Sequence, residues 1–85
     1  MADQIVWLDR ESVAYVRDGR SVAVWVDFAP GFFSRGREIH ADSIKEWAAT
    51  ESMPATPVSA NERREIIAAL TSYYRRQWRS VAVVT

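Results

Sequence analysis

The first half of the chain alternates between apolar and polar residues with the two-residue period of β-strands. Two segments rich in β-branched and aromatic residues, 12–17 and 20–28, flank Asp18 and Gly19. Asp-Gly supplies the positive φ angles that a tight type I′ turn requires. In the second segment Trp25 falls on one face, and the other face carries the apolar residues Val22, Val24, Val26 and Phe28. The pattern predicts a β-hairpin whose valine face belongs to the core.

Shorter segments on either side of the hairpin extend the predicted sheet. A brief apolar run at residues 5–8 precedes the hairpin, and residues 37–40 can pair back as a fourth strand after a loop that contains Pro30 and two glycines. Residues 42–47 predict one helical turn. Residues 50–57 contain two prolines and predict an irregular connection.

The clearest helix signal begins at Ser59, three residues before Glu62. The serine side chain can accept a hydrogen bond from the Glu62 backbone N–H while the Glu62 side chain reaches back, which predicts a capping box with Ser59 as N-cap. Apolar residues then recur at helical spacing, namely Ile66, Ile67, Leu70, Tyr74 and Trp78. The opposite side carries polar residues, namely Arg64, Glu65, Ser72, Arg75, Arg76 and Arg79. The sequence predicts one amphipathic helix.

The last segment, residues 80–85, is rich in valine and predicts a strand after the helix. The element order ββββαβ predicts an α+β fold: a small antiparallel sheet of four to five strands with one amphipathic helix packed on one face. The length of 85 residues predicts a single domain spanning residues 1–85.

The amino-acid composition excludes several classes of function for this chain. The chain has no cysteine, which excludes disulfides, thiolate metal sites and cysteine nucleophiles. Eleven acidic and eleven basic side chains balance, so the overall field that draws proteins to DNA or anionic membranes is missing. No run of apolar residues reaches the length of a membrane span, and a signal peptide is not evident. We expect a cytoplasmic protein without a membrane partner.

Catalytic and metal chemistry find little support in the sequence. His40 is the one histidine in the sequence, and together with Asp42 and Glu46 it could form a metal-binding or acid–base cluster. A zinc site usually requires three well-placed ligands, and the carboxylates fit a helical N-terminus equally well. No serine lies in a nucleophile elbow and no glycine-rich phosphate loop is present. We expect a structural or surface role for His40, no metal, no cofactor and no enzymatic activity.

Aromatic residues outside the predicted core indicate a surface for protein contacts. Phe32 and Phe33 are adjacent in the loop after the hairpin, where one of them can contact a partner or cap the small core. Trp25 lies on the strand face opposite the valines, so it is either exposed or covered by another segment or a partner. Ile44 and Trp47 are three residues apart, which is more typical of core residues.

Arginines on the helix provide a second candidate surface. Residues 1–56 hold nine acidic and six basic side chains, whereas residues 57–85 hold two acidic and five basic ones. The exposed side of the helix could contact phosphates through Arg64, Arg75, Arg76 and Arg79. The helix dipole also favours arginines near the C-terminus without any ligand. Nucleic acid is therefore the less favoured partner.

Three segments together resemble small immunity proteins of bacterial polymorphic-toxin systems. They are the Asp-Gly turn and strand at residues 18–22, the Ala-Asp-Ser-Ile-Lys-Glu-Trp segment at residues 41–47, and the Ser-x-x-Glu-Arg helix start within residues 57–67. The resemblance covers about residues 12–75. It implies a non-enzymatic protein that binds a cognate toxin domain and blocks its active site or substrate groove.

The leading hypothesis is therefore a binding protein that neutralises a toxin by occlusion. Aromatic and arginine side chains usually dominate interface energetics. We predict partner contacts from Trp25, Asp27, Phe32, Phe33 and Arg35. The alternative is a small nucleic-acid-binding module that uses the arginine-rich helix, and a homodimer joined through an exposed strand edge is a third possibility.

Overall fold

The computed structural model describes residues 3–28, 36–77 and 80–84. The five strands of the main sheet and the helix follow one another in the predicted order ββββαβ, which confirms the α+β fold. Their bounds are β1 Gln4–Trp7, β2 Ser12–Arg17, β3 Arg20–Phe28, β4 Gly36–His40, a 3-10 turn Ala41–Ser43, β5 Glu46–Trp47, β6 Thr56–Pro57, α1 Ala60–Arg75 and β7 Ser80–Val84.

The main sheet has five strands in the order β1-β2-β3-β4-β7. The pairs β1–β2, β2–β3 and β3–β4 are antiparallel, whereas β4 and β7 run parallel, with Gly36 opposite Ser80 and His40 opposite Val84. The sheet is thus mixed where the sequence predicted antiparallel pairing throughout. The reason is that α1 lies between β4 and β7 in the chain and brings β7 back in the same direction as β4.

The hairpin between β2 and β3 forms at the predicted turn. Asp18 and Gly19 both have positive φ angles, 52° and 77°, and Arg17 pairs with Arg20 across the two-residue loop. Two positive φ angles in sequence are the requirement of a type I′ turn, whose twist matches that of the flanking strands. The turn therefore fixes the register of the hairpin and, with it, which side chains of β3 face the helix.

The core lies between this sheet and α1. Val22, Val24 and Val26 on the valine face of β3 are fully buried, as predicted, and they pack with residues of β2, β4 and the helix. Side chains with a relative exposure of 1% or less are Val13, Tyr15, Val22, Val24, Val26, Ile39, Ile44, Ile66, Leu70 and Tyr74. Burial of one such side chain stabilises the fold by roughly 1.5–3 kcal/mol, so this cluster is the main source of stability.

The helix begins with the predicted capping box. The Glu62 backbone N–H donates to Ser59 Oγ at 3.1 Å, and the Ser59 backbone N–H donates to Glu62 Oε1 at 2.9 Å. The buried stripe of α1 consists of Ile66, Leu70 and Tyr74. Within the described ranges, no helix combines the length and the hydropathy that crossing a membrane requires.

The connection between β4 and α1 is more ordered than the sequence predicted. The helical turn expected at residues 42–47 is a shorter 3-10 turn at Ala41–Ser43, and it is followed by β5, which pairs with β6 in a second, two-stranded sheet. Trp47 is 3% exposed and belongs to the core, as predicted. The Ala48 backbone N–H donates to the Ser21 carbonyl at 2.7 Å, so the connection covers part of the β3 edge that β4 leaves unpaired.

A charged residue of β4 lies in the core. Arg37 is 4% exposed, and its guanidinium carbon lies 5.3 Å from the Trp7 ring centroid and 5.8 Å from that of Tyr74. Aromatic faces attract a cation at these distances. Trp7 also donates from Nε1 to the Tyr73 hydroxyl at 3.0 Å. These contacts join β1, β4 and the C-terminal half of α1.

Candidate partner-binding face

The face of the main sheet that points away from α1 is the candidate site, and we refer to it as the open face. Because side chains alternate along a strand, the residues between the buried positions point to this side. Apart from the 3-10 turn at its edge, no described helix packs on it. Its residues are Gln4, Val6, Ser12, Ala14, Val16, Ser21, Ala23, Trp25, Asp27, Glu38, His40, Ala82 and Val84.

Trp25 is the largest side chain of the open face. It is 44% exposed, while its neighbours Val24 and Val26 on the opposite face are buried. The placement that strand alternation predicted for Trp25 is therefore confirmed. An indole that remains almost half exposed offers a large apolar surface that another molecule can cover.

His40 holds the Trp25 ring from one side. The two ring centroids are 3.7 Å apart and the ring planes differ by 10°, which is a stacked arrangement. The register explains the contact, because Val26 pairs with Ile39 and the next pair of positions brings Trp25 and His40 together on the open face. A stacked aromatic pair contributes about 0.5–1.5 kcal/mol beyond the area it buries.

Ser43 fixes the backbone of both aromatic residues. Its Oγ accepts a hydrogen bond from the Trp25 backbone N–H at 2.8 Å and donates to the His40 carbonyl at 2.6 Å. Ser43 ends the 3-10 turn that follows β4, so the turn closes back on the middle of β3. One hydroxyl thereby joins the two strands that carry the stack.

A shallow groove of about 330 Å³ lies beside the stack. The groove is lined by apolar, polar and charged groups of the sheet and the turn: Trp25, His40, Asp42, Ser43, Lys45 and Val84. Asp42 and Lys45 are both exposed. The groove is large enough for one or two side chains of a partner, and it offers a positive and a negative group at its rim.

Small residues keep the middle of the open face flat. Val6 pairs with Ala14 and Ala14 with Ala23, so one row across β1, β2 and β3 carries only short side chains. Val6 is 46% exposed and Ala23 is exposed. A flat apolar area next to a large aromatic side chain is typical of the centre of a protein interface.

Two acidic residues lie next to Trp25 on the neighbouring row. Asp27 on β3 is directly opposite Glu38 on β4, and both are half-buried. Like charges in directly opposite positions repel each other, and Asp27 also makes an interaction of its own. The row therefore places two carboxylates side by side on this part of the open face.

The structure brings together part of the predicted contact set. Trp25 and Asp27 lie on the open face, two positions apart on β3. The other predicted contacts, Phe32, Phe33 and Arg35, lie outside the described residues. His40, which stacks on the exposed indole, and Ser43, which accepts from the Trp25 backbone N–H, were not predicted as contacts. The signal that could have found His40 is the pairing register of β3 and β4.

The alternative surface on the helix is also exposed. Arg64, Arg75 and Arg76 are exposed, and Arg79 lies outside the described residues. Arg64 makes a local hydrogen bond to Asn61, its neighbour one turn earlier. Arg64 and Arg75 lie on the same side of α1, about 16 Å apart along its axis.

A separate polar cluster ties the start of the chain to the hairpin and the helix. The Asp3 carboxylate accepts a hydrogen bond from the Tyr15 hydroxyl and pairs with Arg17 at 3.2 Å, and Arg17 also pairs with Glu65 at 3.1 Å. The hydrogen bond from Tyr15 and the one from Arg17 lower the pKa of Asp3. Burial raises the pKa of Tyr15, and the hydrogen bond to Asp3 adds to this shift. These groups satisfy one another, which indicates a structural role.

Metal and acid–base groups do not converge in the described part of the chain. No group of three or more histidine, cysteine, aspartate or glutamate side chains there is placed to hold a metal ion. His40 Nε2 is shielded from solvent and has no hydrogen-bond partner among the described residues. The imidazole therefore contributes mainly a flat surface for stacking.

Comparisons with known proteins leave the family open. No family model, no curated protein and no solved structure matches this chain.

Proposed function

We propose that this chain is a binding protein that neutralises a cognate toxin domain in the cytoplasm by covering the toxin's active site or substrate groove. The observation that carries the proposal is Trp25, an exposed indole on a flat sheet face that is stacked on His40 and whose backbone N–H is held by Ser43. The open face is the contact surface in this proposal.

The way Trp25 is held favours tight binding. A side chain that is already fixed loses little conformational freedom when a partner covers it, so more of the gain from burial appears as affinity. Tryptophan is enriched among the few residues that dominate interfaces, and truncation of such a residue costs about 2 kcal/mol or more. We therefore expect Trp25 to be the main anchor and the surrounding small residues to exclude water.

The charges around the stack indicate the chemistry of the partner surface. Glu38 and Asp42 provide two carboxylates near Trp25 and His40, against the single ammonium group of Lys45. Acidic groups repel phosphates and attract arginine and lysine side chains. A basic patch around an active site or substrate groove of a protein fits this surface better than nucleic acid does.

The class of partner comes from the resemblance to immunity proteins. One of the three segments that carry it, residues 41–47, contains Asp42, Ser43 and Lys45 of the groove. The segment that resembles immunity proteins thus provides the turn that clamps Trp25. This coincidence supports a toxin domain as the partner.

A nucleic-acid-binding module is the second candidate, since Arg64 and Arg75 are exposed on one side of α1. Each phosphate contact would add about one to the logarithmic dependence of affinity on salt concentration. If the chain bound neither DNA nor RNA at low salt, nucleic-acid binding would be excluded.

Affinity capture with matched variants tests the proposal. The tagged chain serves as bait in a nuclease-treated lysate of its source cells, in parallel with Trp25→Ala and with Met53→Ala. Met53 is 43% exposed, like Trp25, and lies outside the open face. We expect a stoichiometric protein with the wild type and Met53→Ala, and its loss with Trp25→Ala.

A growth assay then tests neutralisation. The captured protein is expressed in a sensitive strain with each of the three variants. Growth should be restored by the wild type and by Met53→Ala but not by Trp25→Ala. A captured protein that is harmless to the strain, or growth restored equally by all three, would contradict the proposal.

A further inference from the structure

The outer edge of β7 is the second surface that points to a partner. β7 is the last strand of the main sheet, and none of the described strands pairs with its other edge. Residues 80–85 carry no charged side chain and no proline. Val83 is 45% exposed, and Ala82 beside it is also exposed. An edge strand with an apolar and uncharged sequence is a template for pairing with another strand.

The opposite edge of the sheet differs in its charges. β1 has four residues and is followed closely by Asp9, while Asp3 directly precedes it. An antiparallel pair of β1 strands would place Asp3 of one copy near Asp9 of the other, and like charges across strands oppose pairing. Charged residues at an edge are a common protection against such contacts. Arg79 directly precedes β7 in the sequence, but the matching position after an axis at Ala82 is Thr85, so an antiparallel pair of β7 strands would not place like charges opposite each other.

We propose that β7 pairs with β7 of a second copy of this chain in an antiparallel arrangement. A two-fold axis requires that each copy present the same surface, and a strand edge that runs antiparallel to its own copy meets this requirement. With the axis at Ala82, Val81 lies opposite Val83 of the second copy, and Ala82 lies opposite itself. The exposed Val83 then gains a β-branched neighbour, which is a favourable cross-strand pair.

The pairing would join two five-stranded sheets into one continuous sheet. The two open faces would then lie on the same side, so one dimer would present two Trp25 surfaces. A pair of five-residue strands buries less area than a standard stable interface of about 1,200–2,000 Å². The dimer is therefore reversible, and its population rises with protein concentration. The inference does not depend on the function proposed above.

Single-cysteine crosslinking tests the register. The chain has no cysteine, so one introduced thiol can form a disulfide only with a second copy. Positions directly opposite in an antiparallel pair have Cα atoms about 4.5–5.5 Å apart, within the range that a disulfide spans. Under mild oxidation Ala82→Cys should give a covalent dimer, and Val6→Cys on the exposed β1 strand should remain monomeric. Equal crosslinking of both variants, or none with Ala82→Cys, would overturn the proposal.

Charged substitutions test the same edge without a crosslink. Val83 and Val6 are 45% and 46% exposed on the two outer strands, so Val83→Lys and Val6→Lys form a matched pair. In sedimentation equilibrium the wild type and Val6→Lys should approach twice the 9.7 kDa chain mass as concentration rises. Val83→Lys should weaken the dimer by about tenfold or more and leave the far-ultraviolet circular dichroism unchanged. A wild type that stays monomeric throughout would refute the pairing.

Discussion

The hydroxyl of Ser43 connects stability to the binding face, and its removal is a sharp test of the account. Ser43→Ala deletes two hydrogen bonds at once, the one that Oγ accepts from the Trp25 backbone N–H and the one that it donates to the His40 carbonyl. Among the described side chains, Ser43 is the one whose oxygen accepts from the Trp25 N–H. The substitution therefore acts on both strands that carry the stacked rings.

The expected cost follows from these two contacts. A typical hydrogen bond contributes about 1 kcal/mol net, and a donor left without a partner adds a desolvation penalty. We expect Ser43→Ala to lower the free energy of unfolding by about 2 kcal/mol. For a domain of this size the shift corresponds to a melting temperature about 8–16 °C lower. The change is large against a total stability of roughly 4–13 kcal/mol.

Urea unfolding followed by circular dichroism measures this cost. Ser72→Ala is the control, because Ser72 is exposed on α1 and alanine is the better helix former. The control should match the wild type within about 0.5 kcal/mol. If Ser43→Ala were as stable as Ser72→Ala, the two hydrogen bonds of the Ser43 hydroxyl would not stabilise the site.

Four further substitutions test the fold itself. Ser59→Ala removes the N-cap and should cost about 1 kcal/mol in calorimetry; an unchanged melting temperature would contradict the cap. The Tyr74 hydroxyl is buried with no hydrogen-bond partner among the described residues, and burial raises its pKa to about 12. Tyr74→Phe should therefore not lower the free energy of unfolding at neutral pH, and it should remove the loss of stability expected between about pH 10 and 12. Tyr15→Phe, which removes a hydrogen bond, should cost about 1 kcal/mol. A Tyr74→Phe protein less stable than Tyr15→Phe would contradict these assignments. Asp3 contributes stability above its unfolded pKa of about 3.9, and this contribution is lost as pH falls through its lower folded pKa. In urea unfolding measured at a series of pH values, Asp3→Asn should therefore weaken the fall in the free energy of unfolding over this acidic range.

Local signals in the sequence were sufficient for the hairpin and the helix. The Asp18-Gly19 turn fixes the hairpin register by its own backbone geometry, and the alternation along β3 then separates Trp25 from the buried valines. Ser59 and Glu62 mark the start of α1 through contacts only three residues apart. In both elements the determining interactions lie close together in the sequence.

Features that depend on distant pairing were not predictable in the same way. The parallel direction of β7 follows from its pairing with β4 across the whole helix. β5 and β6 have two residues each, too few for any periodicity to appear. The stack of His40 on Trp25 depends on the β3–β4 register, and the sequence alone predicted only a structural or surface role for the histidine.

A calorimetric titration tests the central claim, that Trp25 on the open face anchors the partner. The captured partner is titrated with the wild type, Trp25→Ala and Met53→Ala, all shown to be folded by circular dichroism. We expect Met53→Ala to bind like the wild type and Trp25→Ala to bind about thirtyfold more weakly or worse, which is the factor for a loss of about 2 kcal/mol. Equal affinity of all three proteins would place the binding surface elsewhere and contradict the account.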